Sequence, residues 1–508
     1  MQPDQPTRIT PIVTQESLAS DTGPGLARKL GLFDITMLVM GSIIGTGIFV
    51  VPHNIAKLVS SPLLILAAWV LGGLVTLAGS LVYAEWMRRR PYVGGQYAYL
   101  REAYHPALAF VYGWSLLWVV QSGGMAAVAV IFAKYFLEIM QIFAQWLGGS
   151  GNNETLVNAV TSFVSWPFAK ATISTVAIGA LTLLNCTGVR TGSTAQNIFM
   201  ILKILAITML VVCGLLFVDG IWSTNLLDGT DQKLNTVTDP SNAGNGWQIT
   251  AFIAAMVPVF FAYGGAHTTT FMGGEVRNPR RDFPRGLVLG VSGVVALYLA
   301  VNYVCLRVLG REQLALTETP ASDVMQRALG SPGAALIALG IAISALGFLS
   351  QATLTSPRVY YAMAKDGLFF RIVAWIHPHT RVPVVAILLQ GLFAIVIAAS
   401  GTFWQILNYV MSVELIFLSL TVLGLFIIRK RDACMVDSAS LNMPGHPITT
   451  LSYACINLAV VVNLFFKEPV NCCIAIAIAL ASLPVYLAWR IVGGLSKTTV
   501  DRADPEKA

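Results

Sequence analysis

The chain has 508 residues, of which 32 Lys+Arg and 25 Asp+Glu make 57 charged positions, 11% where a soluble domain carries about 25%. With 56% hydrophobic residues and a mean hydropathy of +0.70 it holds more apolar surface than one interior can hide, since single cores stop growing beyond roughly 250 to 300 residues. An ordinary soluble domain is excluded, as are collagenous, disordered and disulfide-stapled chains, because 44 Gly and 23 Pro follow no triplet period and seven Cys is an odd, sparse set.

Residues 1–30 are polar and lack the apolar core and cleavage site of a signal peptide, so a retained cytoplasmic tail is expected. A spanning helix needs about 20 mostly apolar residues. Twelve segments qualify: 33–57, 63–87, 107–140, 170–188, 194–218, 248–273, 286–308, 333–363, 383–400, 403–428, 449–466 and 470–491. The expected architecture is an all-α membrane protein with 12 transmembrane helices. It divides into spans one to five (31–218), an outer loop (219–247), spans six to ten (248–428), an inner loop (429–448), two accessory spans (449–492) and a tail (493–508).

With both termini cytoplasmic, 23 Lys and Arg fall on the inner side and eight on the outer, with Lys203 left inside a span. The positive-inside rule therefore favours cytoplasmic termini in a cell membrane, either a plasma membrane or a bacterial inner membrane. The net charge of +7 thus reports orientation and not nucleic-acid binding. Arg88-Arg89-Arg90 reads as part of that signal, with lipid binding as the alternative. Stretches 146–165 and 219–247 read as outer solvent loops, and Asn153-Glu154-Thr155 is a weak glycosylation pattern.

Two spans violate the membrane's rules in the same way. The first carries Gly41-Ser42-Ile43-Ile44-Gly45-Thr46-Gly47 in mid-run, and the sixth carries Pro258 and then Phe261-Ala262-Tyr263-Gly264-Gly265. Each Gly costs a helix about 1 kcal/mol relative to Ala, so such clusters point to unwound backbone, which is tolerated at that depth only inside protein or beside a wet cavity. Close packing through small residues is the alternative. The two breaks open two possible five-helix units, and five being odd, the second unit starts from the opposite face. Paired interruptions of this kind mark a transporter binding site. A broken helix offers free N–H groups and a positive dipole end on one side and free carbonyls on the other, so a small zwitterion satisfies both. A nucleotide loop at Gly45-x-Gly47 fails because no strand precedes it.

These residues resemble the amino acid-polyamine-organocation (APC) superfamily, most closely the L-type amino acid transporter light chains and their bacterial relatives. The likeness runs from about Gly31 to Arg429. It is carried by Gly41 to Phe49, Tyr83-Ala84-Glu85, Gly94-Gly95-Gln96-Tyr97-Ala98-Tyr99, Gln196-Asn197-Ile198-Phe199, Phe261 to Gly265, Glu275 to Pro279 with Pro284, and Ser356, Arg358 and Ala364-Lys365-Asp366-Gly367. The resemblance implies a leucine-transporter-like 5+5 inverted repeat with alternating access. By it, Gly45, Thr46 and Gly47 bind the substrate carboxylate, Ile43, Phe261 and Gly264 offer carbonyls to its ammonium, and the Phe261 ring closes over it.

Lys203 is the single cation deep in a span, where insertion costs about 2.5 to 3.5 kcal/mol. The resemblance implies that its ammonium replaces a sodium ion and ties the first span to the eighth, where Ser344 is a candidate partner. It could also carry a coupling proton, and snorkelling is the bland reading. Ala266 and His267 stand where many light chains carry Trp and Asn, which implies a larger pocket. Glu414, mid-way through span ten, either reads the substrate side chain or carries a proton, or is satisfied by a neighbouring helix. The loop between spans three and four has no Cys, so no covalently linked heavy chain is expected. The six Cys in or beside apolar stretches read as packing residues, and His377-Pro378-His379 has no further ligand nearby, so neither metal nor cofactor is expected. Tyr97 and Tyr99 read as packing residues of an inner loop.

The expected function is sodium-independent carriage of neutral L-amino acids by exchange. Proton-coupled or cationic amino acid transport, and amino acid sensing without much flux, are the alternatives. An intramembrane enzyme would need converging nucleophile, metal or paired-carboxylate groups, which Glu414, Lys203 and His267 do not form.

Overall fold

The computed structural model describes residues 28–149, 154–218, 245–399, 403–433 and 442–489. Residues 1–27 of the expected N-terminal tail, the expected C-terminal tail, most of the 219–247 loop, Asn153 and Cys434 lie outside these residues. Among the described residues the fold is helical, and β pairing is limited to one isolated bridge between Leu30 and Val276.

Every predicted apolar segment coincides with helix. The first is a bent pair, α1 (Leu32–Ile43) and α2 (Gly47–Leu58). Then come α3 (Pro62–Arg89), a short inner helix α4 (Gln96–Ala103), and α5 (Pro106–Ser115), which runs through a π-helical turn (Leu116–Val120) into α6 (Gln121–Gly149). Next are α7 (Glu154–Ser165), α8 (Ala169–Cys186), α9 (Val189–Leu216) and α10 (Asn245–Tyr263), the last followed by a 3₁₀ segment (Ala266–Glu275). The rest is α11 (Pro279–Leu316), α12 (Pro320–Thr355), α13 (Pro357–Lys365), α14 (Val384–Ala398), α15 (Phe403–Asp432), α16 (Ile448–Lys467) and α17 (Pro469–Leu480).

Among the described residues ten helical stretches are long and apolar enough to cross a bilayer, the α1–α2 pair makes an eleventh candidate, and α14, with 15 residues, is a shorter apolar helix. The 146–165 stretch departs from its expectation as a loop, because α6 runs on to Gly149 and residues 154–165 form α7. An amphipathic run, Leu156, Val157, Val160 and Phe163-Val164, recurs there at helical spacing and was hidden by the surrounding Asn and Ser.

The broken helices sit at the centre because long helices wrap them. α1 packs on α11 and α9, α2 on α10 and α11, and α12 lies against α9 and α6. Side chains such as Leu216, Leu183, Val176 and Phe466 point outward and are strongly exposed. In water so many exposed large apolar groups would mark a sticky surface, whereas lipid tails satisfy them. The predicted orientation charges have a second role on the face where Arg89 and Arg90 lie. Arg89 Nε donates to Glu85 at 2.8 Å, while Arg89 and Arg90 donate to Asp432 at 3.1 and 2.9 Å. Arg429 Nε and the Met443 amide also donate to Glu85, each at 2.8 Å. The Arg run thus joins α3 to the end of α15, which its sequence pattern does not reveal.

Candidate functional site

In the first span the break falls at Ile44-Gly45-Thr46, and the two halves are bent by 41°. Ile44 is extended (φ −74°, ψ 93°), and the Gly45 amide folds back on the Ile43 carbonyl at 2.9 Å. In the sixth span α10 ends at Tyr263, and Gly265 turns the chain with φ 103°, a left-handed value that L side chains avoid. The breaks touch. A Cβ on Gly265 would lie 2.3 Å from the Ser42 carbonyl oxygen, and one on Gly47 would lie 3.3 Å from Ala262 Cα. Only glycine lets the two backbones approach this closely, so the clusters seen in the sequence are a meeting point and not merely two weak places.

Carbonyls released at the first break are taken up by three other helices. Lys203 Nζ, wholly buried on α9, donates to the Ile44 carbonyl and, at 3.4 Å, to that of Gly41. Ser344 Oγ on α12 donates to the Gly45 carbonyl at 2.9 Å. Tyr298 Oη on α11 faces the carbonyls of both breaks, Ile43 at 3.1 Å and Ala262 at 3.0 Å. Lys203 and Ser344 thus serve neighbouring carbonyls of one break. Tyr298, which the sequence reading missed, is buried against Trp69 and Tyr263, with ring centroids 5.6 and 5.0 Å away.

Between the breaks lies a cavity lined by Ile43, Gly45, Thr46 and Gly47 from the first span and Phe261 and Gly264 from the sixth. All six expected substrate residues therefore share one chamber. Thr46 Oγ1 is buried there with no hydrogen-bond partner, a group whose desolvation is uncompensated until a polar ligand arrives. The positive end of α2 starts at this wall with the amides of Gly47 and Ile48, while the Phe49 amide bonds back to the Thr46 carbonyl at 3.1 Å. Of the three residues expected to offer N–H groups, Gly45 has its own occupied by Ile43 in this conformation.

Gln121, Gln351, Thr268 and Phe348 complete the wall and were not singled out from the sequence. The one available signal was Gln121-Ser122 inside a long apolar run, directly after the residues that form the π turn, a feature often found at functional sites. Glu414 also lines the chamber and is its one charged lining residue among those described. Ala266 and His267 instead line an adjoining cavity behind the sixth-span break, together with Tyr83, Tyr453 and Asn457. His267 Nε2 reaches toward Glu414, 3.7 Å from its carboxyl oxygen.

On the face that carries Arg89, the backbone amides of Lys29 and Leu30 donate to the Glu275 carbonyl at 2.9 and 3.1 Å, closing the chain in front of α1 onto the end of the sixth span. Arg358 Nε donates to the buried Glu275 carboxylate at 2.8 Å. Tyr97 donates to Asp366 at 2.8 Å, and Tyr99 stacks on Trp86 with centroids 4.7 Å apart, so both tyrosines are packed, on the short helix α4 where an inner loop was expected. Burial and the Asp366 carboxylate hold the Tyr97 phenol well above its ordinary pKa.

A chamber built from two meeting helix breaks agrees with a match to the amino acid permease family over residues 30–487. The chain belongs to that family. Among similar proteins, the serine/threonine exchanger of Bacillus subtilis is 29% identical over 92% of this chain and 98% of its own. The human large neutral amino acids transporter small subunit 2 is 24% identical over 91% of this chain and 81% of its own, and the human b(0,+)-type amino acid transporter 1 is 26% identical over 80% and 76%. Within the permease family this chain places Glu414 in the chamber wall with His267 behind it.

Proposed function

We propose that this permease exchanges neutral L-amino acids across a cell membrane by alternating access, without sodium. The observation that carries the reading is the chamber's polarity. At one wall stand the positive end of α2 and the unpartnered Thr46 hydroxyl, suited to a carboxylate, and across it stands the sixth-span break at Phe261 and Gly264, whose backbone oxygens we assign to the ammonium, the Phe261 one accepting in this conformation from the Gly264 amide at 3.3 Å. The two-unit inverted repeat, cytoplasmic termini and the absence of a covalent heavy chain belong to the same proposal, supported by the paired breaks and the basic inner segments.

Sodium independence rests on Lys203. Its ammonium already occupies the Gly41 and Ile44 carbonyls beside the break, which are the hard oxygen ligands a small cation would use. Phe261, beside Gly47, is positioned to close over a bound solute.

Glu414 narrows the substrate. A leucine side chain seated against a buried carboxyl group strips its water without replacing the hydrogen bonds, whereas a hydroxyl or amide side chain replaces them. The named substrates of the Bacillus subtilis exchanger agree with that preference. The experiment is uptake of labelled serine, threonine and leucine into proteoliposomes, with and without internal amino acid and with and without sodium. Uptake that needs internal amino acid, ignores sodium and favours serine or threonine supports the proposal. Uptake into empty vesicles at the same rate excludes exchange.

A further inference from the structure

The α11 helix begins in a patch of positive charge. Arg277, Arg280, Arg281 and Arg285 are exposed, and Arg28 and Lys29, exposed as well, are brought beside them by the backbone pairing of Leu30 with Val276. Among the described residues no ion pair involves any of the six. The other carboxylates described on this face are committed elsewhere: Glu275 to Arg358, Glu85 to Arg89 and Arg429, Glu102 to Arg90, Asp366 to Arg101, and Asp432 to Arg89 and Arg90. Asp34 has its oxygens on the Gly31 amide and the Asn197 side chain, each at 3.0 Å. Even with Asp34 counted beside Asp282, in the first turn of α11, two carboxylates stand against six cations.

The backbone clasp in front of α1 gathers this charge against itself. Besides the Lys29 and Leu30 amides on the Glu275 carbonyl, the Arg277 amide donates to the Leu30 carbonyl at 3.0 Å. That pairing draws Arg28 and Lys29 toward Arg277, Arg280 and Arg281, like charges whose repulsion opposes the clasp. An anion held among them removes the repulsion. The exposed residues of α11 show where such an anion comes from. They run Arg281, Arg285, Leu289, Ser292 and Ala296, at spacings of four, four, three and four, which is one face of the helix. Gly286 and Gly290 abut Ile35 and Val39 of α1, and Val295 abuts Gly73 of α3, so this face lies between those two neighbours. Leu289 is strongly exposed and suits lipid tails. Arg285 precedes it by roughly 6 Å along the axis and Arg281 by roughly 12 Å. The guanidinium groups therefore stand where the tails of that stripe give way to headgroups.

We propose that Arg277, Arg280, Arg281 and Arg285, with Arg28 and Lys29, bind the headgroup of an anionic phospholipid whose chains lie along Leu289 to Ala296, and that this lipid holds the clasp between Leu30 and Val276 closed. Arg side chains meet phosphate oxygens through paired, charge-assisted hydrogen bonds, and clusters of four or more basic residues beside a span recruit anionic lipid. The positive-inside rule accounts for basic residues on one side of the membrane. It does not account for their convergence on one lipid-facing stripe and across one backbone pairing. An anionic leaflet thereby favours the conformation in which the start of the first span is tied to the end of the sixth.

Hydrogen exchange on the full chain tests this. The protein is placed in nanodiscs of phosphatidylcholine alone or of phosphatidylcholine mixed with phosphatidylglycerol, and deuterium uptake in the peptides containing Leu30 and Arg277 is followed by mass spectrometry. Phosphatidylglycerol should slow uptake there at least threefold and leave the peptide around Lys467 unchanged. Arg277→Gln/Arg281→Gln/Arg285→Gln protein should lose the response, and Arg277→Lys/Arg281→Lys/Arg285→Lys protein, which keeps the charge, should retain most of it. Arg371→Gln/Arg381→Gln/Lys430→Gln protein, which gives up as much charge away from the patch, should respond like the unsubstituted chain. Equal uptake in the two lipids, or a response lost equally in both glutamine variants, overturns the proposal and leaves the patch as an orientation signal. Equal protection by inorganic phosphate in phosphatidylcholine discs assigns the patch to a soluble anion and also overturns it. Residues 1–27 carry Asp4, Glu16 and Asp21, a competing source of negative charge. Protection that is the same in both lipids and disappears when residues 1–27 are removed assigns the patch to the chain's own tail and contradicts lipid binding. Both leaflets of the disc hold the same lipid, so each outcome is independent of the protein's orientation and of what it transports.

Discussion

The hydroxyl of Ser344 donates to the carbonyl oxygen of Gly45 at 2.9 Å, so the eighth span holds the unwound turn of the first. Both groups are buried. Replacing Ser344 by Ala leaves a buried carbonyl without that donor, a cost of about 1–3 kcal/mol. Ser344→Ala should therefore weaken apparent substrate affinity about tenfold, since about 1.4 kcal/mol is a factor of ten, and equilibrium binding in detergent measures it. Affinity within twofold of the unsubstituted protein would show that the turn holds itself.

Lys203 acts on the neighbouring carbonyls through charge. Lys203→Ala should abolish exchange, and Lys203→Met, which keeps the stem that packs against Gly347, should fold normally by size-exclusion chromatography yet remain inactive. Activity in Lys203→Met would assign the side chain to packing alone. Sodium that restores either variant would identify the ammonium as the occupant of a cation position.

Tyr298 Oη faces one carbonyl of each break, Ile43 and Ala262, and its single proton serves one of them at a time. Tyr298→Phe keeps the ring among Trp69 and Tyr263 and removes only the hydroxyl. Substrate-dependent rate constants should fall by about one order of magnitude, with thermal stability altered by much less than in Tyr298→Ala. Stopped-flow binding and thermal unfolding in detergent distinguish the two effects.

Gly265 is at φ 103°, and a methyl group there would sit 2.3 Å from the Ser42 carbonyl. Gly265→Ala should separate the breaks and eliminate exchange, combining backbone strain of about 1–2 kcal/mol with a direct clash. Wild-type exchange in this variant would mean that the contact between the breaks is dispensable.

Tyr97 gives a pH dependence outside the membrane spans. Its phenol is held above its ordinary pKa by burial and by Asp366, so the protonated form is favoured in the folded protein. The sign follows: this contribution is fully present below the unfolded phenol's pKa of about 10 and is lost as pH rises above it. Thermal stability should therefore decline more steeply above that pH in the unsubstituted protein than in Tyr97→Phe. Parallel curves would remove Tyr97 from the alkaline transition.

The helix breaks were legible because glycine clusters at mid-membrane conflict with a spanning helix, and a local conflict can be read from local sequence. The same holds for Lys203, whose charge is anomalous wherever its helix faces. Tyr298 and Gln351 were not legible, because one polar residue in an apolar helix does not reveal what stands opposite it. His267 shows the limit most clearly: it is next to Ala266 in the sixth-span motif, yet the turn at Gly265 puts both in the cavity behind the break, with only the imidazole edge reaching toward Glu414.

By itself, the sequence determined that this chain is a bundle of apolar helices with two of them interrupted, because hydropathy and backbone strain act within a single segment. Only the tertiary structure decided that the interruptions meet, which helices take up the released carbonyls, and that lysines from three helices line one cavity. Those are facts about residues that lie on different helices, brought together by packing and recorded by no local pattern.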